Sequence, residues 1–327
     1  LDYLGENHRG LYGNIRLWSS VSWGLGAVVM GYITDKYGFF LNFCLYGAMM
    51  VTMLLAVGFG LPDRSKKEQA RYDHANQSET LQRPDPKLLA KAICRLPVIL
   101  WLMEVIVIGS GMAMVESFLF VYLQNDFKAS TRLCGWTVGV TVLFELPIFH
   151  FSQQLLQRLG HDALFIISMT AYVTRVFGYT LLTESSVHWV LPLEVLHGIT
   201  FASMWIASID FSATVAPAEW STTVQSILSS SFGCFGSVLG SLVGGWVMQT
   251  YSASVMYRGI GCVMFGMLAL HVIVWAGCGL GHDVFLKKLT QERRIEAEEH
   301  HEDRLGDADK KETLRDNKKE SNDDDAV

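Results

Sequence analysis

Ionisable side chains interrupt long apolar runs at a few positions in this 327-residue chain. By insertion scales each costs on the order of 2.5–3.5 kcal/mol in a hydrocarbon core, so each implies a partner, a cavity or a solute. Glu145 lies in the middle of the run Val138–Phe151 and is followed by Pro147. A proline frees a backbone carbonyl, and irregular backbone at that depth is tolerated only against protein or a cavity. A carboxyl group there can pick up and release a proton, or it can stay protonated as a hydrogen-bonded structural group. Arg175 lies in the middle of Ala163–Leu182. A guanidinium stays charged and requires a counter-ion. Glu145, Glu116 and Glu194 are the candidates. Glu194 and His197 stand at i and i+3, on one face of a helix. Such a carboxyl–Arg–His set can relay protons or form a buried structural ion pair.

A second set opens the first apolar run. Arg16 is followed by Ser20 and Trp23, at i+4 and i+7 and so on the same face. A cation with an aromatic plate two turns deeper can hold a polar, ring-bearing solute by hydrogen bonds and stacking. The same residues also suit an Arg snorkelling to the membrane interface beside a packing Trp. Gly236, Gly240 and Gly244 recur every fourth residue, which in lipid lets helices approach closely. They read as packing with some sliding, not as a ligand site. The six Cys are scattered, with no C-x-x-C and no Cys/His cluster, so neither a disulfide framework nor a zinc site is expected. No Walker motif, cofactor motif or nucleophile–base pair is present, which argues against an enzyme. No basic patch interleaves with aromatics, so no nucleic-acid partner is expected.

The elements that must position these residues follow from the apolar runs. The chain is 50% hydrophobic and only 18% charged. Its charge is concentrated in Asp63–Arg95 and His282–Asp325. Eight candidate spans are long enough for a core of roughly 30 Å, which takes about 20 residues. They are Leu17–Thr34, Phe39–Leu61, Pro97–Leu123, Cys134–Leu155, Ala163–Leu182, His188–Ala213, Thr223–Met248 and Val255–Cys278. The loop 62–96 is rich in Lys and Arg and is broken by Pro84 and Pro86, so it reads as cytoplasmic. Six further spans return the tail to the same side. There Lys287, Lys288, Arg293 and Arg294 sit close to the membrane. The tail from Gly279 should begin as a solvated helix and end disordered. The chain begins at Leu1, not Met, and the span count becomes regular if four spans precede it.

Several stretches resemble the major facilitator superfamily, in its branch around the lactose permease, the nucleoside–proton symporters and the eukaryotic major facilitator superfamily domain-containing protein six type. They are Arg16-Leu-Trp-Ser-Ser-Val-Ser-Trp23-Gly24, Glu116-Ser-Phe-Leu-Phe, Glu145-Leu-Pro147, Gln157-Arg158-Leu-Gly160, Leu196-His197-Gly198, and Ala216-Pro217 followed by Thr223-Val-Gln225 and the glycine repeat. The resemblance covers nearly all of Asn7–Cys278. It implies an all-α polytopic membrane protein of twelve helices in two six-helix halves, of which this chain carries helices five to twelve. It further implies that Arg16 and Trp23 bind solute and that Arg175 and His197 belong to a proton-coupling network. Arg158 would latch a neighbouring helix end as a gate. Two positions depart from the permease pattern: Thr200 stands where a proton-carrying Glu is expected, and Ser231-Phe-Gly233 replaces a Lys-bearing stretch.

The expected layout is two helices of the N-terminal half over 1–61, a central cytoplasmic loop over 62–96, the C-terminal half over 97–278 and a charged cytoplasmic tail over 279–327. The expected function is secondary active transport in a plasma or organellar membrane, with no cofactor. The partners would be lipid, protons and a small polar or ring-bearing organic solute such as a sugar, nucleoside or aromatic acid. Arg16, Ser20 and Trp23 would bind it; Glu145, Arg175, His197, Glu116 and Glu194 would couple the proton. A non-transporting receptor or scaffold of the same fold, and a proton-independent facilitator, are the alternatives.

Overall fold

The computed structural model describes residues 11–60, 85–277, 279 and 281–295, and these contain helices, turns and no strand. The chain divides into a unit over Leu1–His282 and a second over Asp283–Val327. Of the second unit, residues 283–295 are described, and they are helical. Most of the central loop and the far tail lie outside the described residues.

In chain order the helices are α1 (Leu11–Tyr37), α2 (Phe40–Gly60), a short α3 (Pro86–Ile93), α4 (Leu96–Phe127), α5 (Thr131–His150) and α6 (Ser152–Tyr179). They continue with α7 (Val190–Val215), α8 (Ser221–Ser230), α9 (Ser237–Thr250) and α10 (Ala253–Val272). A π-helical turn, Ser231–Gly236, joins α8 to α9 as one long segment, and another, Ile273–Gly277, extends α10. Six of these segments are long and apolar enough to cross a membrane: Phe40–Phe59, Leu96–Phe127, Thr131–His150, Glu184–Val215, Ser221–Thr250 and Ala253–Gly277. The other two expected spans do form helices, α1 and α6, but they carry too many polar residues to join that set. In α6 these include Gln153, Gln154, Gln157, Arg158, His161, Asp162 and Arg175.

The ends of the helices follow from local chemistry. Pro97 opens α4, where its missing N–H costs nothing. Lys128 closes it in the left-handed region at φ 55°. Ser130 caps α5 by accepting from the Leu133 N–H at 3.2 Å, and Ser252 does the same for Val255 at 3.2 Å ahead of α10. Gly160, at φ 79° and ψ 178°, breaks α6 into two pieces. Only glycine takes that backbone without strain. Asp162 therefore stands at the start of the longer piece, and Arg158 in the last turn of the shorter one.

The packing uses small residues. Gly31 of α1 lies against Gly135 of α5, and Gly24 against Val142. α9 lies along α4, where a Cβ on Gly240 would collide with the Ser110 carbonyl. The core contains Trp101, Ile108 and Met112 of α4, Phe165, Tyr172 and Tyr179 of α6, Phe211 of α7 and Tyr257 of α10, all buried. α2, by contrast, buries none of its apolar window, and Phe43, Met49, Leu54 and Phe59 are exposed along it.

Candidate functional site

The site lies where α5, α6 and α7 meet. Tyr172, Arg175 and Tyr179 stand at i, i+3 and i+7 on α6, so one face carries a cation between two phenols. All three are fully buried. The Arg175 guanidinium lies 5.2 Å from the Tyr172 ring centroid and 5.9 Å from that of Tyr179, within the range of cation–π attraction. Its Nη2 donates to the Met112 sulfur at 3.6 Å. Its Nε and Nη1, together with the hydroxyls of Tyr172 and Tyr257, have no hydrogen-bond partner among the described residues. Native interiors rarely leave such groups unmatched. No carboxylate of the described residues lies within ion-pairing distance of Arg175.

Glu194 of α7 joins this arrangement through Tyr179, and its oxygens are engaged by hydroxyls. Tyr179 donates its hydroxyl to Glu194 Oε1. Thr141 of α5 donates to Oε2 at 2.9 Å. His197 Nδ1 lies 3.2 Å from the same oxygen, without the alignment of a hydrogen bond. The Arg175 charge acts on Glu194, His197 and Glu116 through space, not by contact. The expected direct counter-ion is therefore replaced by aromatic faces, a thioether and a more distant carboxylate.

The other expected residues are distributed around this centre. Glu145 is buried one turn along α5 from Thr141. The Glu145 backbone lies against Gly198, the residue after His197. Glu145 and the Glu194–His197 pair thus occupy facing surfaces of α5 and α7. Glu116 is exposed on α4. Ser20 is half-buried and Trp23 exposed on α1, while the Arg16 side chain lies outside the described residues. Arg158 is exposed just ahead of the Gly160 break. Thr200 is buried and spends its hydroxyl on the Leu196 carbonyl at 2.8 Å.

Two features escaped the sequence reading. The first is the tyrosine set, whose spacing on α6 is legible once Arg175 is taken as the centre. The second is a separate buried cluster of Glu104, Asp162, His271 and His282. The signal for it was the same one used for Glu145: Glu104 and His271 are ionisable residues within apolar runs.

The profile described as the MFS_1 like family matches residues 1–259. The mouse protein "Major facilitator superfamily domain-containing protein 6-like" is 25% identical over 76% of this chain and 38% of its own length. "Maltose permease" of Geobacillus stearothermophilus is 21% identical over 80% of this chain and 62% of its own. "Probable 3-phenylpropionic acid transporter" of Escherichia coli is 23% identical over 79% of this chain and 62% of its own. In each case the chain spans less than two thirds of the relative.

Proposed function

The chain belongs to the MFS_1 like family, and on that premise we propose that it is a secondary active transporter coupling protons to a small organic solute by alternating access. The family and the apolar helices make it an integral multi-pass membrane protein. In this reading α1 and α2 end one six-helix half, residues 97–278 form the other, and the loop and tail between and after them are cytoplasmic. Arg16, Ser20 and Trp23 receive the solute. Glu145, Glu194, His197, Arg175 and Glu116 exchange the proton, and Arg158 latches the cytoplasmic gate.

One observation carries the reading. A fully buried guanidinium has its Nε and Nη1 without hydrogen-bond partners among the described residues, beside two tyrosine hydroxyls in the same state and a carboxylate with a histidine in close contact. A buried charge is costly unless something completes it. An anionic group arriving with the solute, or a carboxylate swinging in as the halves rock, would do so. This favours a ring-bearing organic acid over a neutral sugar. The names of the two bacterial relatives, one a sugar permease and one an aromatic-acid transporter, bracket the same choice.

The test is counterflow in proteoliposomes of the natural full-length protein, loaded with pooled aromatic acids, nucleosides or sugars. Acid exchange above protein-free vesicles supports the reading. Exchange of sugars alone removes the acid preference, and no exchange by folded protein favours a receptor or scaffold. Thr200 gives that alternative its footing, since a hydroxyl committed to a backbone carbonyl carries no proton.

A further inference from the structure

We propose that Glu104, His271 and His282, oriented by Asp162, form a binding site for a divalent transition-metal ion of the zinc class. The site is distinct from the Arg175 centre and independent of the transport reading.

Four elements converge there. Glu104 comes from the early turns of α4, His271 from the last turn of α10, Asp162 from just after the Gly160 break in α6, and His282 from the chain beyond the π-helical turn. All four side chains are at least nine-tenths buried. Asp162 Oδ1 accepts the His282 backbone N–H at 2.8 Å and lies 3.1 Å from His282 Nδ1. That contact puts the proton on Nδ1 and leaves Nε2 as the lone-pair nitrogen. His282 Nε2 lies 3.5 Å from Glu104 Oε2. His271 Nδ1 lies 2.7 Å from Glu104 Oε1, and its Nε2 lies 3.7 Å from Asp162 Oδ1. Glu104 Oε2 and His271 Nε2 are buried with no hydrogen-bond partner among the described residues.

The result is two imidazole nitrogens and one carboxylate oxygen, each residue offering a ligand atom within 4.8 Å of the others. Tetrahedral zinc, with bonds of about 2.0–2.1 Å, holds its donors about 3.3 Å apart. A contraction of at most about 1.5 Å at the widest separation therefore closes the site. Imidazole with carboxylate suits zinc and its neighbours better than calcium or magnesium, which prefer oxygen alone. A carboxylate holding the far nitrogen of a ligating histidine is the usual way such a ligand is oriented. A small cavity walled by Pro97, Met267 and Trp275 is also lined by Glu104, Asp162, His271 and His282. The bound ion would tie the start of α4 to the end of α10.

The experiment uses the natural full-length protein in detergent, stripped with EDTA, dialysed, and titrated with zinc ion itself. Bound zinc per chain and the shift in Tm are read together. Glu104→Gln, His282→Asn and the tail variant His300→Ala/His301→Ala are compared with the wild type. The proposal expects one zinc per chain, a raised Tm, and binding weakened by at least about tenfold in Glu104→Gln and His282→Asn but unchanged in the tail variant. If His282→Asn misfolds, the visible spectrum of the cobalt-loaded wild type still decides, because a four-coordinate nitrogen and oxygen site absorbs strongly. No zinc on the wild type, zinc bound equally by Glu104→Gln and His282→Asn, or zinc lost with the tail histidines would overturn it. The cluster would then be a hydrogen-bonded helix clamp.

Discussion

Tyr179 and Arg175 make separable contributions to the centre. Tyr179 donates to Glu194, and a hydrogen bond to a charged acceptor contributes about 1.5–3 kcal/mol. Tyr179→Phe should therefore lower Tm, and combining it with Glu194→Gln should cost less than the sum, because both remove the same contact. A thermal-unfolding double-mutant cycle checks this. Arg175 should behave in the opposite way. Replacing a buried charge that lacks a partner by an apolar side chain is often neutral or stabilising. Arg175→Met should keep or raise Tm while abolishing uptake of the acid. A large fall in Tm would mean that the guanidinium is structural. At this scale the sequence was partly legible. Membrane cost alone pointed to Glu145, Arg175, Glu194 and His197. It did not show that Arg175 would rest on tyrosine faces, because each candidate carboxylate was judged by its depth and not by the groups already bonded to it.

The α4–α9 contact depends on the absence of a side chain at Gly240, where any Cβ meets the Ser110 carbonyl. Gly240→Leu should destabilise by at least about 1–3 kcal/mol, the usual cost of overpacking. Gly233, with open space around its Cβ position, should accept alanine with little change. Thermal unfolding of the two variants compares them directly. Helix positions were legible because the apolar runs are long and Pro, Ser and Gly mark their ends. The expected spans left Gly160 in the gap between Leu155 and Ala163, but the short helical piece from Ser152 up to that break was not legible. The π-helical turn at Ser231–Gly236 has no sequence signature of that kind. Glu104 and His271 stood out singly in the sequence, but their meeting with Asp162 and His282 was not legible for another reason. The four residues come from four elements, and only the packing of α4, α6 and α10 brings them together.

For the whole molecule, the family match and the apolar helices fix the class of protein. Alternating access requires that a proton bind where it can sense the solute. Glu145, buried on α5 and facing the Glu194–His197 pair on α7, is the group proposed for that role. The most direct measurement is acidification inside liposomes containing the natural full-length protein and a trapped pH dye. An inward proton gradient is imposed and an aromatic acid is added outside, for wild type and for Glu145→Gln. Proton symport predicts acidification that depends on the solute, exceeds the leak of protein-free vesicles carrying the same acid, and disappears in Glu145→Gln. Solute uptake without added acidification, preserved in Glu145→Gln, would contradict it and make the protein a facilitator with a structural carboxyl group.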